Sequence, residues 1–269
     1  MSEQQNGKLI IIGGHEDKEG DEKILKEVCQ AAIEKSGKLV IVTVATHLPQ
    51  EVSEDYINVF KDLGVPQVEV LDVRERGEAE QEDYLSGLDN AAVIFFTGGD
   101  QLRITSQIGD SVVFQHMRRL FKEGGTIAGT SAGAAAMPET MIVSGPSDES
   151  NRISSLSMAP GLGLIRDAVI DSHFAERGRM GRLLGAVAQN PRNLGLGIDE
   201  DTAIITDGVT SFRVVGTGAV YVIDGSDITY SSLSEKKADG IITIHNVRVH
   251  VLGEGDCFDL KERRPIVPD

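Results

Sequence analysis

Short runs of almost unbroken apolar character constrain this chain more than any other feature. "KLIII" (8–12), "KLVIVTV" (38–44), "AAVIFF" (91–96) and "TIAGT" (126–130) are too short for buried helices and too apolar for half-solvated strands. Strands read this way when both faces are covered, as in a parallel sheet between layers of helices. The intervening stretches supply those helices. "DEKILKEVCQAAIEKSG" (21–37) has helical spacing and a glycine stop, and its Cys29 shares a face with Ile24, Leu25, Val28, Ala32 and Ile33, which reads as core. "SEDYINVFKDLG" (53–64) reads as a helix capped by Ser53 and closed by Gly64, and "SVVFQHMRRLFKEGG" (111–125) as another. "QVEVLDV" (67–73) alternates like a strand. The expected fold class is α/β: a three-layer α/β/α sandwich with a mostly parallel central sheet.

The rhythm loosens after Ser144. "SGPSDESNRISSLSMAPGLG" (144–163) is rich in Ser, Pro and Gly and reads as a long surface loop. "DAVIDSH" (167–173), "NLGLGIDE" (193–200) and "TAIITDG" (202–208) add three strands, with the helix "ERGRMGRLLGAVAQN" (176–190) after the first. "SFRVVGTGAVYVID" (211–224) and "GIITIHNVRVHVL" (240–252) read as C-terminal β-hairpins on a sheet edge. With no linker or repeat, residues 1–269 are expected to form a single domain. No apolar run approaches the roughly 20 residues of a bilayer span. "MSEQQNGK" lacks the basic and apolar segments of a signal peptide, so a cytoplasmic location and no membrane partner are expected. The net charge of −16 argues against nucleic-acid binding. No Cys/His cluster has metal-ligand spacing.

Chemistry enters at "GTSAG" (129–133), a G-x-S-x-G at the end of an apolar strand and the start of small, helix-compatible residues. A serine on such a strained turn projects its hydroxyl away from the sheet, and the N–H of Ala132 then faces a developing oxyanion. The same pentapeptide also serves as a tight packing turn. A nucleophilic Ser131 needs a base and an orienting acid. Of the six histidines, His173 alone ends a buried strand, where open α/β sheets place their chemistry. Three carboxylates, Asp199, Glu200 and Asp201, stand just past another strand, and spacing leaves the choice among them open. The order Ser, His, acid differs from the Ser, acid, His order of α/β-hydrolases, which disfavours an esterase of that type. "FFTGGDQLRI" (95–104) offers Gly98 and Gly99 on a turn, with room for a second oxyanion donor. "IIIGGHED" (10–17) has neither the G-x-G-x-x-G nor the P-loop spacing, so a nucleotide-binding module has little support.

"IIGGHEDK", "FFTGGDQLRI", "AGTSAGAAAM", "DSHFAERGRMGRLL" and "GLGIDEDTA", in this order, resemble the cyanophycinases, within the serine peptidase family that also holds peptidase E. The resemblance runs from Lys8 to about Leu260 and extends to the tail "VRVHVLGEGDCFDL". It implies a sandwich like that of the class I glutamine amidotransferases. It also implies a Ser131–His173–Glu200 triad, an oxyanion hole from the N–H groups of Gly99 and Ala132, a homodimer, and no metal or organic cofactor. The substrate-site positions it implies are Gln101, Asp171, Ser172, Arg177, Arg179 and Arg182, with Ser172 standing where the family commonly has Gln.

The implied activity is that of a serine exopeptidase cutting the aspartate backbone of the polymer cyanophycin into β-aspartyl-arginine. The alternative within the family is an aspartyl dipeptidase acting on small peptides. Each cyanophycin unit carries a guanidinium and a carboxylate. "DSHFAERGRMGR" supplies both complementary signs, through Asp171 and Glu176 and through Arg177, Arg179 and Arg182.

Overall fold

The apolar runs build the core of the computed structural model, which describes residues 7–144, 156–235 and 240–267. β1 (Lys8–Ile12), β2 (Lys38–Val42), β3 (Gln67–Leu71), β4 (Ala91–Phe96) and β5 (Thr126–Thr130) pair in parallel in the order β1-β5-β4-β2-β3. Period-2 alternation divides their side chains between two faces. Ile10, Ile12, Leu39, Ile41, Val93 and Phe95 meet α1 (Lys23–Glu34) and α2 (Pro49–Asp62). Leu9, Ile11, Val40, Val42, Ile94 and Phe96 face the other way, toward α3 (Glu82–Ser86), α4 (Gln101–Ile108) and α5 (Val112–Lys122).

The remaining strands extend this sheet and build a second one. β10 (Thr202–Thr206) pairs antiparallel with β1, and β11 (Ser211–Gly216), β16 (Cys257–Asp259) and β17 (Arg264–Ile266) follow outward to complete nine strands. β8 (Ala168–Ser172), β9 (Leu194–Ile198), β12 (Val220–Asp224) and β15 (Arg248–Leu252) form a four-stranded sheet. Ile170, Leu196, Ile198 and Val222 join the large core on one face, while Val169 and Ile223 meet Leu183 and Val187 of α7 (Met180–Gln189) on the other. The α/β class and the parallel core match expectation.

Local readings are corrected. Residues 211–224 are not a hairpin: β11 and β12 lie in different sheets, because each continues the pairing of β10 and β9 across the bend at Asp199–Asp201. Residues 240–252 are not one either. β14 (Ile244–His245) pairs with β13 (Tyr230–Ser231), and β15 pairs with β12. Ser53 is no cap: α2 starts four residues earlier at Pro49, and the buried Ser53 hydroxyl donates to the Gln50 carbonyl. Proline suits the first turn because the N–H it lacks has no intrahelical partner there. Ile33 is 45% exposed and leaves the apolar face of α1. Within the expected 144–163 loop, β7 (Ser157–Pro160) pairs with β6 (Thr140–Ser144), and residues 145–155 lie outside the described residues.

Candidate active site

Ser131 sits between β5 and the short α6 (Ala132–Ala135) with φ 53° and ψ −107°, a conformation that side chains rarely adopt. The flanking glycines make the turn possible. A β-carbon at Gly129 would stand 2.8 Å from the Gly133 carbonyl carbon, and one at Gly133 2.5 Å from the Phe96 carbonyl oxygen. The turn delivers the Ser131 hydroxyl 2.9 Å from His173 Nε2. His173 Nδ1 lies 2.7 Å from Glu200 Oε1. The three side chains thus form one continuous hydrogen-bonded relay at the carboxyl ends of β5, β8 and β9.

One backbone segment aligns all three. The consecutive carbonyls of Ile12, Gly13 and Gly14 accept the N–H groups of Ser131, His173 and Asp201 at 3.0, 2.8 and 2.9 Å. The loop after β1 therefore fixes Ser131, His173 and the residue next to Glu200 to a common frame. Both glycines are sterically required, since a β-carbon on Gly13 would meet the Asp199 carbonyl oxygen at 2.0 Å. The sequence signal was the pair of glycines ending a buried strand, and the phosphate-loop spacings tested there could not detect this role.

The neighbouring carboxylates have other partners. Asp199 accepts from the N–H groups of Ala175 and Ala219, and Asp201 from the Asp17 N–H and the Thr217 hydroxyl. Only Glu200 reaches the imidazole. Burial holds His173 below its ordinary pKa, against the upward pull of the Glu200 hydrogen bond. The imidazole is therefore neutral near neutral pH and able to accept a proton. That same hydrogen bond keeps the Glu200 carboxyl below the usual carboxylate range.

Ala132 is the first residue of α6, so its N–H has no intrahelical acceptor. A β-carbon on Gly98, in the neighbouring turn, would lie 3.5 Å from Ser131 Cβ. Gly99 has φ 142° and packs on the Ala45 carbonyl. Gln101 Nε2 donates to the carbonyls of Ile142 and Val143, so its amide group holds β6. Asp171 is 1% exposed and takes Arg179 Nη1 at 3.1 Å and Arg182 Nε at 2.7 Å, with a further bond from Arg182 Nη2. Burial pushes Arg179 down to about 10, and its Nη1 also donates to the carbonyl of the buried Ser172. Arg177 is exposed and has no ion pair among the described residues. The expected substrate residues are thus divided into an internal Asp171–Arg179–Arg182 cluster and a solvent-facing Arg177.

Two residues of "GGHED" join the site. Glu16 is buried and accepts from the hydroxyls of Tyr56 and, at 2.6 Å, of Thr130. His15 projects beside the relay, with Nδ1 3.4 Å from Glu200 Oε2 and its ring edge-on to His173.

The sequence profile described as "Peptidase family S51" matches residues 9–214. The chain belongs to this family. The cyanophycinase of Geminocystis herdmanii is 36% identical to this S51 chain over 267 residues, covering 99% of this chain and 98% of that protein. The cyanophycinase of Trichormus variabilis is 39% identical over 256 residues, covering 95% and 86%. A peptidase from an acI-B1 actinobacterium, at 18% identity, has the same fold, with a TM-score of 0.71 over 96% of this chain and 98% of its own. No helix among the described residues is long and apolar enough to cross a membrane.

Proposed function

We propose that this S51 chain is a serine-type peptidase that hydrolyses cyanophycin and releases β-aspartyl-arginine. The observation that carries the reading is the continuous Ser131–His173–Glu200 relay, in a chain 36% identical over almost its full length to a cyanophycinase. His173 Nε2 takes the Ser131 proton as Oγ attacks a backbone α-peptide carbonyl. Glu200 holds the Nδ1–H and stabilises the imidazolium that forms. The Ala132 N–H, with a donor from the Gly98–Gly99 turn, faces the oxyanion. The imidazolium then protonates the leaving amine. Water, deprotonated by the same histidine, releases the acyl group and restores the serine.

The polymer's paired charges suit the surroundings. Arg177, without an ion pair among the described residues, offers its guanidinium to a substrate carboxylate, and the exposed Glu176 offers a carboxylate to a substrate guanidinium. A homodimer belongs to this reading through the family resemblance alone, and a cytoplasmic location through the sequence expectation alone. The test is incubation of purified cyanophycin with wild type and Ser131→Ala. Dipeptide release by wild type and none by the variant is expected. Cleavage confined to Asp-Xaa dipeptides would replace the reading with the aspartyl dipeptidase.

A further inference from the structure

We propose that His15, His173 and Glu200 form an inhibitory binding site for Zn²⁺ and ions of similar softness. The inference rests on the relay's catalytic role only for its effect on rate, since binding itself needs no catalysis. His15 Nδ1, a ring nitrogen of His173 and a Glu200 oxygen all lie within 4.8 Å of one another. This is the two-imidazole, one-carboxylate donor set of many zinc sites, and tetrahedral bonds of about 2.0–2.1 Å place donor atoms roughly 3.3 Å apart. The His15 Nδ1 to Glu200 Oε2 separation of 3.4 Å already has that value. The His15 side chain is 73% exposed, so an ion reaches the group from solvent and water can complete its coordination. The donors are far apart in the chain, which is why sequence spacing gave no sign of them.

Two imidazoles and one carboxylate discriminate among ions. They suit Zn²⁺ or Cu²⁺, whereas Mg²⁺ and Ca²⁺ require six or more oxygens. The chain's net charge of −16 raises the local concentration of any cation, while Arg177 and Arg179 are positive charges that oppose binding at the relay. The consequence for the relay is a change of tautomer. An ion on His173 Nδ1 takes the place of the proton shared with Glu200, and that proton moves to Nε2. Nε2–H then donates to Ser131 Oγ and cannot accept its proton. No bond to substrate is made or broken, so a chelator restores the original state.

The experiment uses Zn²⁺ alone, in three full-length proteins: wild type, His15→Asn and Ser131→Ala. Asparagine removes the ligand nitrogen and tolerates the left-handed φ of 47° at this position. Calorimetry is expected to show one zinc site in wild type and Ser131→Ala that His15→Asn lacks. Dipeptide release by wild type should fall as that site fills and return with EDTA, with Mg²⁺ at the same concentration inert. His15→Asn should need about tenfold more zinc or higher for equal inhibition. Zinc binding or inhibition unchanged in His15→Asn overturns the proposal. A wild type without peptidase activity that still binds zinc through His15 would sink the catalytic reading and leave the metal site standing.

Discussion

Gly14 touches His173 through the side chain it lacks: a β-carbon on Gly14 would lie 2.3 Å from the imidazole Cε1. Its φ of 108° also disfavours any L side chain. Gly14→Ala must therefore displace the ring or the loop whose carbonyls hold the relay segments. A shift of about 1 Å at reacting atoms can cost on the order of 10²-fold in rate. The variant is expected to lose at least that in kcat/KM, with a matching fall in fluorophosphonate labelling of Ser131. Labelling at the wild-type rate would mean that the glycine does not hold the ring.

The acid limb of the pH profile follows from His173. Only the neutral imidazole accepts the Ser131 proton, so activity rises with pH through its pKa. Burial lowers that pKa, which puts the midpoint below the ordinary value of about 6.5. Glu200→Gln removes a group that raises it, so the limb should move further down while kcat falls by about 10³–10⁴. The measurement is kcat/KM against pH in chelated buffer, which reports the free enzyme. A midpoint above that of free imidazole, or an upward move in the variant, contradicts the assignment.

Glu16 fastens the floor of the Ser131 turn. Its carboxylate accepts from Thr130, the residue before Ser131, and from Tyr56 on α2, whose phenol burial keeps protonated. Glu16→Ala leaves two buried hydroxyls without their acceptor, at about 1–3 kcal/mol each. At about 2–4 °C per kcal/mol, melting should drop by several degrees. The serine turn should also loosen, lowering kcat more than it changes KM. An unaltered melting temperature would show that these hydroxyls find other acceptors.

What was legible in the sequence was what local pattern encodes. The unbroken apolar runs gave the parallel strands, and the small residues around Ser131 gave the strained turn. His173 stood out as the one histidine ending a buried strand. What was illegible depended on pairing across the chain. Residues 211–224 look like a hairpin because two β-rich runs flank glycines. Yet the Thr217 N–H bonds the Asp201 carbonyl, and Ala219 exchanges bonds with Asp199. The run therefore crosses between sheets beside the bend that carries Glu200. Periodicity could not choose Glu200 among three adjacent carboxylates either, because that choice is made by which side chain faces an imidazole 27 residues away. Ser53 misled for a different reason: Pro49 started the helix a turn earlier.

Asp171 gives the last test, because the sequence and the structure suggest different jobs for it. Sequence chemistry offered its carboxylate to the substrate guanidinium, whereas the fold gives it to Arg179 and Arg182. Those arginine side chains are only 11% and 12% exposed, so removing the carboxylate between them leaves two charges poorly solvated. Breaking a buried pair in this way costs about 3–5 kcal/mol. Asp171→Ala is therefore expected to melt markedly lower. Its kcat should fall as well, because Asp171 lies two residues before His173 and Arg179 also holds the Ser172 carbonyl between them. Thermal melting and steady-state kinetics on the same preparation separate the two jobs. A variant with wild-type melting and a raised KM alone would return Asp171 to the substrate, and the internal cluster would then be a resting arrangement that substrate displaces.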